Sequence, residues 1–172
     1  YLKEKFPSTK FQFTDAGVSS TCSTAGAFRL QNDVLERGPV DLFFIEFAVN
    51  DDQDAMHSLE NSLRGMEGII RQTLMHSPHA DIVLTYFVNE GMLAKLQRGE
   101  TPTSIAAHEQ VAKHYGVTSI HLAQEVADRI DEWTLTWKQY GGVHPAPRGN
   151  AIPAMMIRQT LDKAWNEELK PA

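Results

Sequence analysis

At 172 residues the chain is one domain by length, and it is long enough to close a hydrophobic core without disulfide or metal staples. Its 42% hydrophobic content is that of a folded globular protein, and a formal charge of −6 gives no support to nucleic-acid binding or to an anionic membrane surface. No apolar run approaches the roughly 20 residues of a membrane span, and the single cysteine, Cys22, excludes an intrachain disulfide and a cysteine-rich zinc site.

Tyr1 to Pro7 reads as the end of an amphipathic helix stopped by proline, with no initiator methionine or signal peptide ahead of it. The natural protein is therefore expected to begin earlier, with any localisation signal upstream; a secreted or periplasmic location is compatible with this, and the compartment stays unassigned. Phe11 to Asp15 alternates apolar and polar residues and suits a short strand. It runs into Ala16–Thr21, a small-residue turn of the kind that lets backbone amides approach a ligand. Ala25 to Arg37 carries Phe28, Leu30, Val34 and Leu35 at near-helical spacing and stops at Gly38-Pro39.

Leu42 to Val49 is apolar on both faces, the pattern of a central parallel strand, and ends abruptly in Asn50-Asp51-Asp52. The carboxyl ends of such strands are where open α/β sheets bind ligands. Asn50 there is either an oxyanion donor, through its amide, or the Asx turn that closes the strand. Asp51 suits a capping role that orients the loop around Asn50.

A polar loop follows, then a helical stripe of Leu59, Leu63, Met66, Ile70 and Leu74 closed by Ser77-Pro78. Asp81 to Val88 is a second buried strand, and the polar stretch Gly91–Thr103 has the composition of a mobile flap. Ile105, His108, Val111, Ala112 and Tyr115 mark a helix capped by Gly116; Val117–His121 is short and β-prone; Leu122, Val126, Ile130 and Trp133 mark the next helix. Gly141 to Gly149 is a rigid Gly/Pro loop, after which Asn150 is a plausible N-cap for a last helix through Ile152, Met156, Leu161 and Trp165, with Pro153 in its first turn. The alternation predicts a single three-layer α/β/α sandwich over residues 1–172 with a mostly parallel, flavodoxin-like sheet. Four strands are few for it, so a further first strand is expected upstream.

Among the histidines, His144 is the sharpest candidate for chemistry. Glycine and proline on either side hold it in a loop with little freedom, as a general base requires; a purely structural loop histidine is the alternative. His57, His76, His108 and His114 sit on helical patterns, where surface or packing roles are the default. No HExxH pair appears, and Asp51-Asp52-Gln53-Asp54 lacks the later glycine and glutamate of a calcium loop, so a solvated acidic turn is expected there and no metal. No Walker or dinucleotide glycine pattern is present, which speaks against a flavodoxin-like cofactor binder.

Three blocks occur in order: Asp15-Ala-Gly17-Val-Ser-Ser20-Thr21, Phe47-Ala-Val-Asn50-Asp51 and Gly142-Val-His144-Pro145. Together they resemble the SGNH (GDSL-like) esterase and acylhydrolase superfamily over nearly the whole chain. The resemblance implies a serine esterase working through an acyl-enzyme, without a cofactor, on a small acyl ester that could be carried by a carbohydrate. It implies His144 as base, with the Asn50 side chain and the Ser20 backbone amide as oxyanion donors. Three departures stand out. The family's Gly-Asp-Ser nucleophile block is not in these residues and is expected before Tyr1. Ser20 replaces the usual oxyanion glycine, and is itself conceivable as a substitute nucleophile. Gly141 stands where the family has the acid three residues before the histidine. Glu46 is a possible stand-in, but along an extended strand it lies about 13 Å before Asn50, which favours a buried, hydrogen-bonded structural acid. A non-catalytic ligand- or carbohydrate-binding relative that lost the triad acid is the alternative function.

Overall fold

The computed structural model describes residues 1–166. Its centre is a parallel sheet of three strands in the order β1 (Leu42–Ile45), β2 (Asp81–Thr85), β3 (Thr118–Ile120). The register pairs Leu42 with Asp81 and Val83 with Thr118. Parallel neighbours need crossovers, and helices supply them. One face carries α2 (Ser23–Asp33), α4 (Leu59–His76) and α6 (Thr103–Tyr115), packed side by side. The other side carries α5 (Glu90–Gln97), α7 (Leu122–Asp131) and α9 (Pro147–Asn166). The short helices α1 (Leu2–Lys5), α3 (Ala48–Gln53) and α8 (Trp137–Tyr140) complete the set. This is the expected three-layer α/β/α sandwich.

The helices form where apolar spacing and end signals agree. Ser58 caps α4 by accepting from the Asn61 amide at 3.2 Å, and Met66, Ile69 and Ile70 carry its buried stripe. Gly116 ends α6 at φ +65°, the left-handed conformation in which glycine meets no Cβ penalty. Two glycines set the spacing of the α2 layer. A Cβ on Gly26 would lie 2.4 Å from the Phe47 ring, and one on Gly65 would lie 2.2 Å from Ser23 Oγ. Close approach at these two points presses α2 against α4 and against the turn that leads into α3.

Several expectations are corrected. Phe11 to Asp15 is not a strand: no described strand pairs with it, and Phe13 is exposed, stacked on Phe11. β1 is four residues long and lies at the edge of the described sheet rather than its centre; Phe44 is exposed. The chain leaves the strand at Glu46-Phe47 and winds directly into α3, so Asn50 sits on a helix and not immediately beyond a strand. β2 likewise ends at Thr85, with Tyr86 and Val88 buried in the following segment. The expected flap is the helix α5, because Met92 and Leu93 bury beside α7 and Asn89 caps its amino end. Asn150 does not cap α9: Pro147 opens that helix, where a missing N–H costs nothing, and Pro153 falls inside it. Trp133 lies beyond α7 and is exposed, and Phe28 points outward from α2.

Candidate functional site

Asp51 is the junction of the site. It is fully buried on α3, and its carboxylate accepts the Ser23 amide at 2.7 Å, the Ser23 hydroxyl at 2.6 Å and His108 Nε2 at 3.0 Å. His57 Nδ1 lies 3.4 Å from its Oδ1, and the His57 amide donates to the Asp51 carbonyl at 2.8 Å. Burial alone would raise this carboxyl. The hydrogen bonds from His108 and Ser23 outweigh it and hold Asp51 below the usual carboxylate range. Asp51 thus caps α2, as its sequence suggested, but from a different helix. The expected solvated acidic turn is wrong at this residue. His108, read as a packing histidine, is indeed buried, yet it is also the donor that fixes Asp51; its Nδ1 has no hydrogen-bond partner among the described residues.

Ser20 lies three residues before Ser23, so the Asp51–Ser23 bonds tie the segment that follows its turn to the helix that carries Asn50. Ser20 is exposed at φ +55°, a conformation that suits the glycine it replaces. Asn50 is part-exposed and donates from Nδ2 to Asp54 Oδ2 at 2.7 Å, which commits one of its two amide hydrogens. The far side of α3 is tied to α5: Asn89 donates to Asp52 at 3.0 Å, and Lys95 pairs with Asp52 at 3.4 Å.

His144 is exposed in the loop between α8 and α9, with no hydrogen bond to Asn50 or Ser20 among the described residues. The loop is closed by the Ala146 amide donating to the Tyr140 carbonyl at 2.8 Å and by Asn150 Nδ2 donating to the Pro145 carbonyl at 2.8 Å. Gly141 is built into that closure. It has φ +107°, and a Cβ there would lie 2.1 Å from the Ala146 nitrogen. No acidic side chain fits at the position three residues before His144 unless the loop changes shape.

Glu46 stands at the turn between β1 and α3 and accepts from the Val49 amide at 3.3 Å. Burial pushes its carboxyl up to about 7, against backbone hydrogen bonds from Val49, Ala48 and Phe87, and the Asp51 charge adds to the rise. Its charge also acts on the phenol of Tyr140, at the root of the His144 loop; burial raises that phenol first, and its hydroxyl has no hydrogen-bond partner among the described residues. The extended-strand distance from Glu46 to Asn50 does not apply, because the chain has turned helical between them. Glu46 is a hydrogen-bonded acid as expected, but half-buried rather than fully buried.

Cys22, Asp51 and His57 bring their ligand atoms within 4.8 Å of one another, the described group that could hold a metal ion. Asp51 is already an acceptor for Ser23 and His108, so its carboxylate is largely spoken for. No helix of the described residues is long and apolar enough to cross a membrane.

The model of the GDSL-like lipase/acylhydrolase family matches residues 1–152. Among solved structures, a two-domain esterase (CEX) active on acetylated mannans superposes with a TM-score of 0.82 at 26% identity, over 96% of this chain and 42% of that one. The same esterase co-crystallised with mannopentaose gives 0.81 at 26% identity, over 99% of this chain and 44% of that one. The Bacillus subtilis protein YxiM shares the fold, with a TM-score of 0.64 at 18% identity over 87% of this chain and 45% of that one. The chain therefore spans less than half the length of these proteins. A search of curated protein sequences gave no significant match. The three blocks, the layered fold and the family match agree: this chain belongs to the GDSL-like lipase/acylhydrolase family.

Proposed function

We propose that the protein hydrolyses a small acyl ester carried by a carbohydrate, through an acyl-enzyme, with His144 as the base and Asn50 and the Ser20 amide as oxyanion donors. The observation that carries this reading is the Asp51 junction. Its bonds to Ser23 and His108 join α3, which carries Asn50, to the start of α2, three residues beyond Ser20, and this shared anchor supports the pairing of the two proposed donors. Family membership supports ester hydrolysis, and the esterase active on acetylated mannans supports an acetylated polysaccharide as the substrate class.

In this mechanism His144 takes the proton of the attacking serine and returns it to the departing sugar hydroxyl. None of the serines here stands in a Gly-Asp-Ser block, and the attacking hydroxyl is assigned to none of them. With glycine at position 141, a backbone carbonyl or a carboxylate from elsewhere orients the imidazole. A dipole in that role stabilises imidazolium less than a charge does. The Asn50 amide leaves Asp54 or uses its second hydrogen for the oxyanion.

Assay of the full-length protein with p-nitrophenyl acetate and with an acetylated mannan tests the oxyanion role. Asn50→Ala is expected to lower kcat about 10²–10³-fold with little change in KM; an unchanged kcat would remove Asn50 from the mechanism. A second reading, a non-catalytic carbohydrate-binding protein, draws on Gly141 and the exposed His144. Carbohydrate binding without any release of acetate would favour it.

A further inference from the structure

A groove of about 420 Å³ opens where the carboxyl ends of α5 and α7 meet the start of α8. Its apolar wall is Ile130, Leu135, Trp133 and Trp137, and its polar rim is Gln97 and Asp131. Trp133 is 93% exposed and held at φ +60°. The backbone around it is a left-handed cap on α7: the Trp133 amide donates to the Ile130 carbonyl at 3.1 Å and the Thr134 amide to the Arg129 carbonyl at 3.0 Å. Glycine or asparagine is the ordinary choice there. A bulky aromatic residue loses twice, in backbone conformation and in leaving its ring in water. At 93% exposure the ring gains little packing among the described residues in return.

The surroundings are organised for a ligand. Trp137 is half-buried and stacked on Tyr140 with ring centres 5.4 Å apart, so the second indole is fixed. Gln97 Nε2 donates to Asp131 Oδ1 at 2.6 Å. That bond holds an amide and a carboxylate side by side and leaves Asp131 Oδ2 and the amide oxygen of Gln97 to accept hydroxyl protons. Two indole faces beside a hydroxyl-accepting pair match a molecule with apolar C–H faces and an equatorial fringe of hydroxyls. The carboxylate disfavours an anionic ligand.

We infer that this groove is a binding subsite for a neutral oligosaccharide, set apart from the ester-cleaving site, an inference that rests on the carbohydrate-ester reading above. The separation follows from α5. Its amino end is tied to Asp52 of α3 through Asn89, and Gln97 lies eight residues further on, about 12 Å along the helix. In this inference the groove meets a sugar other than the one that carries the reacting acyl group, and it anchors the chain without touching the bond that breaks. α8 links the two regions, since its Trp137 carbonyl accepts from Gly141 at the root of the His144 loop.

The test is direct binding, independent of turnover. Mannopentaose, cellopentaose and xylopentaose are titrated into the full-length protein by calorimetry and by tryptophan fluorescence, beside Trp133→Gly and Trp137→Ala. Trp133→Gly removes the ring while giving the left-handed cap its preferred residue, so it stays folded. At least one pentasaccharide is expected to bind and to perturb the emission, with affinity at least tenfold weaker in Trp133→Gly. That variant should hydrolyse p-nitrophenyl acetate normally while its KM for the acetylated polymer rises several-fold. Absence of binding by all three sugars, or equal affinity in Trp133→Gly, would overturn the subsite. Self-association that Trp133→Gly abolishes, without sugar binding, would reassign the surface to protein contact. Binding with no esterase turnover would defeat the hydrolase reading and leave the groove standing.

Discussion

Gly141 shows how one residue can be locked by its neighbours. Restoring the family's acid with Gly141→Asp would look like a repair on paper. Here the Cβ would meet the Ala146 backbone at 2.1 Å, in a conformation that L residues avoid. The substitution is expected to cost about 3 kcal/mol of stability and to bring no gain in esterase activity. Thermal unfolding and p-nitrophenyl acetate turnover check both parts. Glu46 is the other residue whose position has a measurable consequence. Its carboxyl titrates near 7, above its unfolded value, so between pH 4.5 and 7 the folded protein holds a proton that the unfolded chain has released. Stability is therefore greatest below pH 4.5 for this group and falls as pH rises to 7, by roughly 3 kcal/mol in total. Glu46→Gln should remove that slope, seen as equal urea midpoints at pH 5 and pH 8, where the wild type is weaker at pH 8.

At the scale of elements, the site is a junction of helix ends. α2 begins at Ser23, α3 carries Asp51, and α6 sends in His108, all meeting at one buried carboxylate. Asp51→Asn keeps the size but replaces one acceptor oxygen with a donor that faces Ser23 or His108. It is expected to destabilise by about 3–5 kcal/mol, read from the urea midpoint at pH 7. The Asp51 contribution is present above its unfolded pKa and is lost as pH falls through the lowered folded value. It therefore acts in a more acidic window than that of Glu46.

This junction was only half legible from the residues. Asn50-Asp51 and the Ser20 turn stood out by local pattern, and a capping role for Asp51 followed from its chemistry. His108 did not stand out, because its partner lies 57 positions away and its helical stripe reads as ordinary core. α5 was missed for a related reason. Gly91, Lys95 and Gln97 look like loop residues, and only burial beside α7 gives Met92 and Leu93 their weight. β1 was read too long because Phe47 and Val49 are apolar, yet they bury in a turn and a helix rather than in a strand.

On the scale of the whole molecule, the alternation of strand and helix was enough to place the layers, and α4, α6 and α7 lie where their stripes put them. Asp51 ties α3 to the start of α2, while the His144 loop hangs from Tyr140, close enough for Glu46 to act on that phenol. The proposed mechanism rests most heavily on the imidazole of His144. The most direct measurement is kcat/KM for p-nitrophenyl acetate in the full-length protein, wild type against His144→Ala. A fall of about 10²–10⁴-fold carried by kcat is expected of a general base. Equal turnover by the two proteins would contradict the account.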